Sequence, residues 1–329
     1  MKEKITTDKK SLNKVLKRTN ELTDRVRDLI NHHRIQNHIM KSLGSWHQVC
    51  SSLNVIGDTV LGIEAYLKKR KIDPWVDGYL LLYGLLQLLF VQQDSIEHLS
   101  FSCDVHYSID PALEKIREIR NDAIGHPTNR GRKQGKRTFI QVSRPTINKE
   151  SFEYLRWYED DREMENEHVS TLKIIKLQVK LINIQLESII EHLTNQELEH
   201  RMKYRKTRLI DLFDDSFDYW ITGLTREASG VNCRGDGVYC VEKVISALSK
   251  YREALLEREE IRVESYEKNE HLDFALDMLK GHFSRTSPEQ LDARLAYILA
   301  KFISWQIDFV KESAEQVDEE YASNKIEGI

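Results

Sequence analysis

The chain has 329 residues, 31% of them charged, and holds only 5 Pro and 14 Gly, so long stretches run without a breaker. That is the composition of a mostly α-helical protein, and the length calls for one large or two medium domains. A formal net charge of −4 excludes a protein constitutively coated with nucleic acid, because global positive charge drives non-specific binding to phosphates, although local basic patches stay open.

Four cysteines, Cys50, Cys103, Cys233 and Cys240, form no CxxC pair. Neither a zinc knuckle nor a disulfide framework is expected from them, and a reducing, cytoplasmic setting is the plain reading. The opening MKEKITTDKK has no apolar signal core, and the longest apolar run, Leu80 to Val91, is too short for a bilayer, so no membrane association is expected.

The spacing of Leu12, Val15, Thr19, Leu22, Val26, Leu29 and His33 predicts a first helix from about Ser11 to Met40 with one apolar seam. His32, His33 and His38 cluster on it. No carboxylate or cysteine is spaced to complete a coordination shell, so His33 reads as a polar position of the seam. A second helix is expected from Ser45 to Lys69, with Trp46, Val49, Leu53, Ile56 and Val60 buried. The run Lys68 to Lys71 would end it favourably, since cations suit a helix C-terminus.

After the break at Ile72-Asp73-Pro74, a helix from Pro74 to Ser100 is apolar nearly all round between Leu80 and Val91. Such a helix belongs at the centre of a bundle, covered on one side by its own chain, with the other side open to cover by a second protomer. Gln87, Gln92, Gln93 and Asp94 on it read as an internal hydrogen-bond network. Asp110-Pro111 is an N-cap followed by proline at the first helical position, which starts a further helix running to about Ile124.

That helix ends in Arg120-Asn121-Asp122-Ala123-Ile124-Gly125-His126-Pro127. Gly125 tolerates the left-handed conformation that ends helices, and Pro127 cannot continue one, so His126 is expected on the terminus, able to swing toward a ligand. Arg120 lies near the apolar stripe of Leu113, Ile116 and Ile119, and Arg117 nearer its edge. The plain alternative for Arg120 is an ion pair with Glu114, Glu118 or Glu97.

The octet resembles the signature of the HEPN superfamily, an Arg followed by a polar residue, a short spacer and a His, matched here by Arg120, Asn121 and His126. The preceding run from Trp75 to Leu99 looks like the helix before the motif in bacterial members, and the resemblance covers roughly the first 210 residues. It implies a metal-independent endoribonuclease without a cofactor, acting as a homodimer whose two motifs face each other. Arg120, Asn121 and His126 would be catalytic and Asp122 supporting. A ribose 2′-hydroxyl would attack its own phosphate, leaving a 2′,3′-cyclic phosphate and a 5′-hydroxyl. The resemblance also implies tRNA or mRNA as substrate and a toxin or phage-defence role, with an antitoxin or regulatory protein as a further partner. Some members are instead non-catalytic scaffolds that bind nucleotides, RNA or a protein. Others are adenylylated on a tyrosine after the motif; here Pro127-Thr128 follow His126 and no tyrosine stands at that place.

Beyond the motif, TNRGRKQGKRT (128–138) carries Arg130, Arg132, Lys133, Lys136 and Arg137. Such a run is either a solvated loop or, lying next to His126, an RNA-backbone grip to which Arg144 adds. Phe139 to Ser143 reads as a short strand or hairpin arm, Lys149 to Tyr158 as helix, and Glu159 to Glu167 as a charged connector.

The longest helix is expected from about His168 to Arg208, with a heptad seam of Leu172, Ile175, Val179, Ile182, Leu186, Ile189 and Leu193. A second row, Ile174, Leu177, Leu181 and Ile184, lies nearly opposite. A short amphipathic helix follows from Asp211 to Leu224. Thr225 to Gly237 interrupts all periodicity and is the best linker candidate. Two more seams then appear, Val241, Val244, Leu248, Tyr251 and Leu255, and Leu291, Leu295, Ile298, Phe302, Trp305 and Phe309, with Thr286-Ser287-Pro288-Glu289 as a helix start. The expected fold is all-α: a HEPN-like bundle over 1–210 with a short hairpin arm, then a second helical domain over 211–329 with a structural, partner-binding or regulatory role.

Overall fold

The structure is a computed structural model that describes residues 2–40, 42–125, 127–128, 130, 137–160, 162–230, 234–261, 270–285 and 291–323. The chain divides into two compact units, 1–194 and 195–327. Among the described residues no helix is long and apolar enough to cross a membrane.

In the first unit, helix α1 (Lys2–Asn31) stops at His32, and a short α2 (His33–Ile39) follows. Leu12, Leu16, Thr19, Leu22, Val26 and Leu29 are buried along α1. Helix α3 (Leu43–Lys68) begins where Ser42 Oγ accepts from the Ser45 amide at 3.4 Å. Its other end is capped from a distance. The buried Lys149 ammonium donates to the carbonyls of Leu67 and Lys69, orphan acceptors at a helix C-terminus. Tyr66 Oη and Thr171 Oγ1 both donate to the Lys149 carbonyl, at 3.1 and 2.7 Å.

Helix α4 (Gly78–Ser102) buries Leu82, Leu85, Leu86, Leu89, Ile96 and Leu99 and leaves Leu80 and Tyr83 exposed. Thr59 of α3, Gln92 and Gln93 of α4 and Gln178 of the later helix α6 (Thr171–Tyr204) form a buried hydrogen-bonded series. Their bonds measure 3.0 Å for Gln92–Thr59, 2.7 Å for Gln93–Gln178 and 2.9 Å for Gln178–Gln92. Gln87 and Asp94 stand outside that series and bind Arg120 and Arg117 respectively.

Helix α5 (Pro111–Arg120) starts on Asp110, whose Oδ1 accepts from the Ala112 amide at 2.7 Å. A three-stranded antiparallel sheet follows, in the order β1 (Thr138–Val142), β2 (Ser151–Tyr158), β3 (Glu165–Ser170). The expectation of helix over Lys149–Tyr158 is therefore corrected to strand, and the charged connector is in part β3. Phe152 and Tyr154 alternate inward with a period of two, and this aromatic-rich segment packs best on a pleated surface. Tyr154 pairs with Val142 on one side and with Glu167 on the other. Along α6 the seam from Ile175 to Leu193 is buried, whereas Leu177 and Ile184 of the second row are exposed.

Helix α6 carries the chain into the second unit. There Arg201 pairs with Glu197 at 2.6 Å and Glu320 at 2.8 Å. Helices α7 (Asp215–Ala228), α8 (Gly237–Glu257), α9 (Glu270–Ser284) and α10 (Ala293–Ala322) share one core around Phe217, Leu224, Val241, Val244, Leu276 and Ile303. The Thr225–Gly237 stretch lies inside this unit; its first four residues are the end of α7 and Gly237 opens α8. The seam expected at Val241 to Leu255 is buried. That expected at Leu295 to Phe309 is not: α10 turns Ala296, Ala300, Ile303, Ile307 and Ala314 inward instead. The proposed helix start at Thr286–Glu289 falls outside the described residues.

Candidate functional site

Helix α5 presents two different faces. Leu113, Ile116 and Ile119 are buried in the core, and the two arginines one turn apart, Arg117 and Arg120, lie toward α4. Arg117 is an ion-pair residue. Its Nη2 lies 2.7 Å from Asp94 and 3.5 Å from Glu97, and its Nε donates to Gln93 Oε1 at 2.7 Å.

Arg120 makes none of the carboxylate pairs expected as its alternative among the described residues. Its Nη2 donates to Gln87 Oε1 at 3.0 Å, its Nη1 to Asn121 Oδ1 at 3.1 Å, and the guanidinium lies 4.5 Å from the centroid of the Phe90 ring. Its Nε is buried with no hydrogen-bond partner among the described residues. Stacking on Phe90 and two neutral amide acceptors hold the fork in place without cancelling its charge.

The helix does not end at Arg120. Residues Asn121–Gly125 form a π-helical turn, a wider turn that costs hydrogen-bond geometry and recurs at functional sites. The expected left-handed glycine is corrected here: Gly125 is absent from the residues with positive φ. What the position requires is space, since a Cβ there would stand 3.0 Å from Arg120 Nη1 and 3.3 Å from Asn121 Oδ1.

Asp122 points the other way, to the sheet. It is buried, and its carboxylate accepts from Arg156 Nη2 at 2.5 Å, from Arg130 Nη1, and from Tyr154 Oη at 3.4 Å. Burial raises its pKa above the ordinary aspartate value, and the Arg156 guanidinium works against that rise. Burial, then the Asp122 charge, pushes the Tyr154 phenol up. Arg130 also binds Glu118, through its carboxylate and, at 3.1 Å, its carbonyl. Two backbone bonds between Arg130 and Thr138, at 3.0 and 2.9 Å, tie this residue to the start of β1.

Of the five basic residues expected to grip RNA, Arg130 is thus anchored to the motif helix, and Arg137 is exposed, 3.7 Å from Glu159. Arg132, Lys133, Lys136 and the expected catalytic His126 lie outside the described residues. Arg144 stacks between Trp75 and Tyr79, at 5.2 and 5.3 Å from their ring centroids. Beside Asp122 opens a cleft of about 420 Å³ between α5, β2, β3 and the start of α6, lined by Lys115, Tyr154, Arg156, His168, Ser170 and Lys173 among others.

No family model, curated protein or solved structure matches this chain. The site is accordingly defined by its own residues.

Sequence reasoning misses three of them. Phe90 reads as core from its apolar surroundings, and a helical reading of 149–158 hides Tyr154 and Arg156. The alternation Phe152, Tyr154, Arg156 is the signal that finds the last two, because it places all three on one face of a strand.

Proposed function

We propose that the chain is a HEPN-type, metal-independent endoribonuclease acting in the cytoplasm as a toxin or phage-defence effector. The observation that carries this reading is the setting of Arg120. Its guanidinium is stacked and hydrogen-bonded at a π turn, with a buried Nε that has no partner among the described residues, six positions before a histidine.

The chemistry follows from these residues. A base removes the proton of a ribose 2′-hydroxyl, the 2′-oxygen bonds to the adjacent phosphorus, the bond from phosphorus to the 5′-oxygen breaks, and an acid protonates that oxygen. His126 serves one of the two proton transfers, histidine being the side chain whose ordinary pKa lies near neutrality. Arg120 places planar donors against the non-bridging oxygens as negative charge builds on them, and Asn121 orients the fork. In a homodimer the exposed Leu80 and Tyr83, on the α4 face that continues to Gln87, supply apolar surface next to Arg120. Basic residues from Arg130 to Arg137 contact the RNA backbone.

The test is incubation of the purified chain with labelled RNA, with and without EDTA. Cleavage that persists in EDTA and disappears in both Arg120→Ala and His126→Ala is expected. Cleavage surviving in both variants, or abolished by the chelator, would overturn the reading. One observation favours a second reading, a non-catalytic HEPN-like scaffold binding nucleotides, RNA or a protein: Arg120 already holds Gln87, Asn121 and Phe90 of its own chain, the setting of a structural arginine. RNA binding without cleavage would select it.

A further inference from the structure

We infer that α10 pairs with α10 of a second copy of this chain, antiparallel, through its outward seam. This inference does not rest on the ribonuclease reading and concerns the second unit alone.

The seam is Leu295, Ile298, Phe302, Trp305 and Phe309, spaced three and four residues apart, which are the a and d positions of two heptads and the a position of a third. Four of them are open to solvent: Leu295 is 43% exposed, Ile298 60%, Trp305 55% and Phe309 50%. The helix satisfies its own unit with the opposite face, where Ala296, Ala300, Ile303 and Ile307 are buried. Trp305 packs edge-on against Phe309, with centroids 5.0 Å apart, so the aromatic surface is continuous along the helix. The large side chains turned outward make a contiguous apolar strip of the kind that marks a protein contact.

The flanking charges identify the occupant. The g positions beside this seam are Arg294, Lys301, Asp308 and Glu315, two cations in the first half and two anions in the second. Among the described residues none of the four has an ion-pair partner, and their spacing of seven residues, about 10.5 Å along the helix, is too long for them to pair with one another. In an antiparallel pair, g positions face g positions. With Phe302 layered against Trp305 of the second copy, Lys301 meets Asp308 and Arg294 meets Glu315, and the two-fold axis repeats both pairs. A parallel pair would set these g residues against Leu299, Gln306 and Ser313 at e and form no ion pair. The pattern is therefore complementary to itself in one orientation only.

Sedimentation velocity of the full chain over a concentration series tests this, with circular dichroism to check folding. The expected result is concentration-dependent self-association that Trp305→Asp with Phe309→Asp weakens at least tenfold. Should that variant fold poorly, the surface charges decide. A first variant, Arg294→Glu with Lys301→Glu, makes all four g positions negative, and a second, Asp308→Lys with Glu315→Lys, makes them all positive. Each alone should associate at least tenfold more weakly than the unmodified chain, and an equimolar mixture should form a heterodimer. A chain that is monomeric throughout, or one whose association ignores these substitutions, or a mixture that does not associate, would overturn the inference.

Discussion

Arg120 Nη1 passes 3.0 Å from where a Cβ on Gly125 would stand, so the absence of a side chain at Gly125 is what lets the guanidinium lie against Asn121 and Phe90. Five residues apart on a π turn, the two positions are coupled by space alone.

Gly125→Ala is therefore expected to misplace Arg120 without weakening the fold. The guanidinium is the free end of a long side chain and moves at little cost, and alanine lowers the entropy of the unfolded chain. RNA cleavage should fall about tenfold, on the order of 1.4 kcal/mol in transition-state stabilisation, while Tm stays level or rises. Unchanged cleavage kinetics would show that the position of Arg120 does not matter.

Asp122→Asn should be costly for stability. It leaves the Arg130 and Arg156 guanidiniums against a neutral amide in a buried place, and breaking a buried pair from one side costs on the order of 3–5 kcal/mol. Adding Arg156→Gln should recover part of the loss. Urea unfolding of the three proteins measures this, and a variant as stable as the parent would argue that water reaches the cluster freely.

Arg132, Lys133, Lys136 and Arg137 replaced together by alanine should lower RNA affinity. The slope of log affinity against log salt should shrink by about 0.7 for each single-strand phosphate that is no longer neutralised. Arg130 stays outside this set because its pairing with Glu118 and Asp122 gives its removal a stability cost as well. An unchanged slope returns the run to a solvated loop.

A doubly tagged mixed dimer of Arg120→Ala and His126→Ala chains should regain part of the activity that both mutant homodimers lose, if one cleft draws on the motifs of both protomers. Rates no higher than those of the homodimers would place a complete site in each chain.

Alkaline stability should fall from pH 10 upward. Burial, above all, pushes the phenols of Tyr66 and Tyr251 up to about 12, against an ordinary value of 10.0. Below pH 10 the folded and unfolded chains both keep these protons, and stability is full. Between 10 and about 12 the unfolded chain alone releases them, so each site subtracts about 1.4 kcal/mol per pH unit. Tyr251→Phe should flatten the decline of the urea midpoint between about pH 10 and 11 for the second unit, and an equally steep decline would exclude this site as its source.

The helices are legible in the sequence where an apolar period meets a chemical stop. Asp110-Pro111 marks the start of α5, and the 175–193 seam marks the buried face of α6. The sheet is half legible: Phe139 to Ser143 reads as strand, but Phe152 and Leu155 also fit a helical spacing, and only pairing with β1 and β3 decides for the strand. The α10 seam is legible as a period and not as a direction, because periodicity shows that a face is apolar without saying what covers it. At the motif, Arg120 and Asn121 are visible as residue types. The second acceptor of Arg120, Gln87, comes from a helix 33 positions earlier, a relation carried by packing and by no local pattern.

The polar series through the first unit has a consequence of its own. Arg117 has only protons to give, and the chain of bonds that starts from it runs through Gln93, Gln178 and Gln92 to Thr59, whose hydroxyl donates to the Ile56 carbonyl at 2.7 Å, a group that can only receive. The two ends fix which way every amide between them faces, so the thread has a single polarity across α5, α4, α6 and α3. Sliding any one of these helices by a residue would break the thread rather than shift it, which makes it a register lock. Reversing one link would do the same: a carboxylate at 178 has no proton for Gln92 or for the Leu89 carbonyl, so an isosteric change at one atom would unfasten two neighbouring helices.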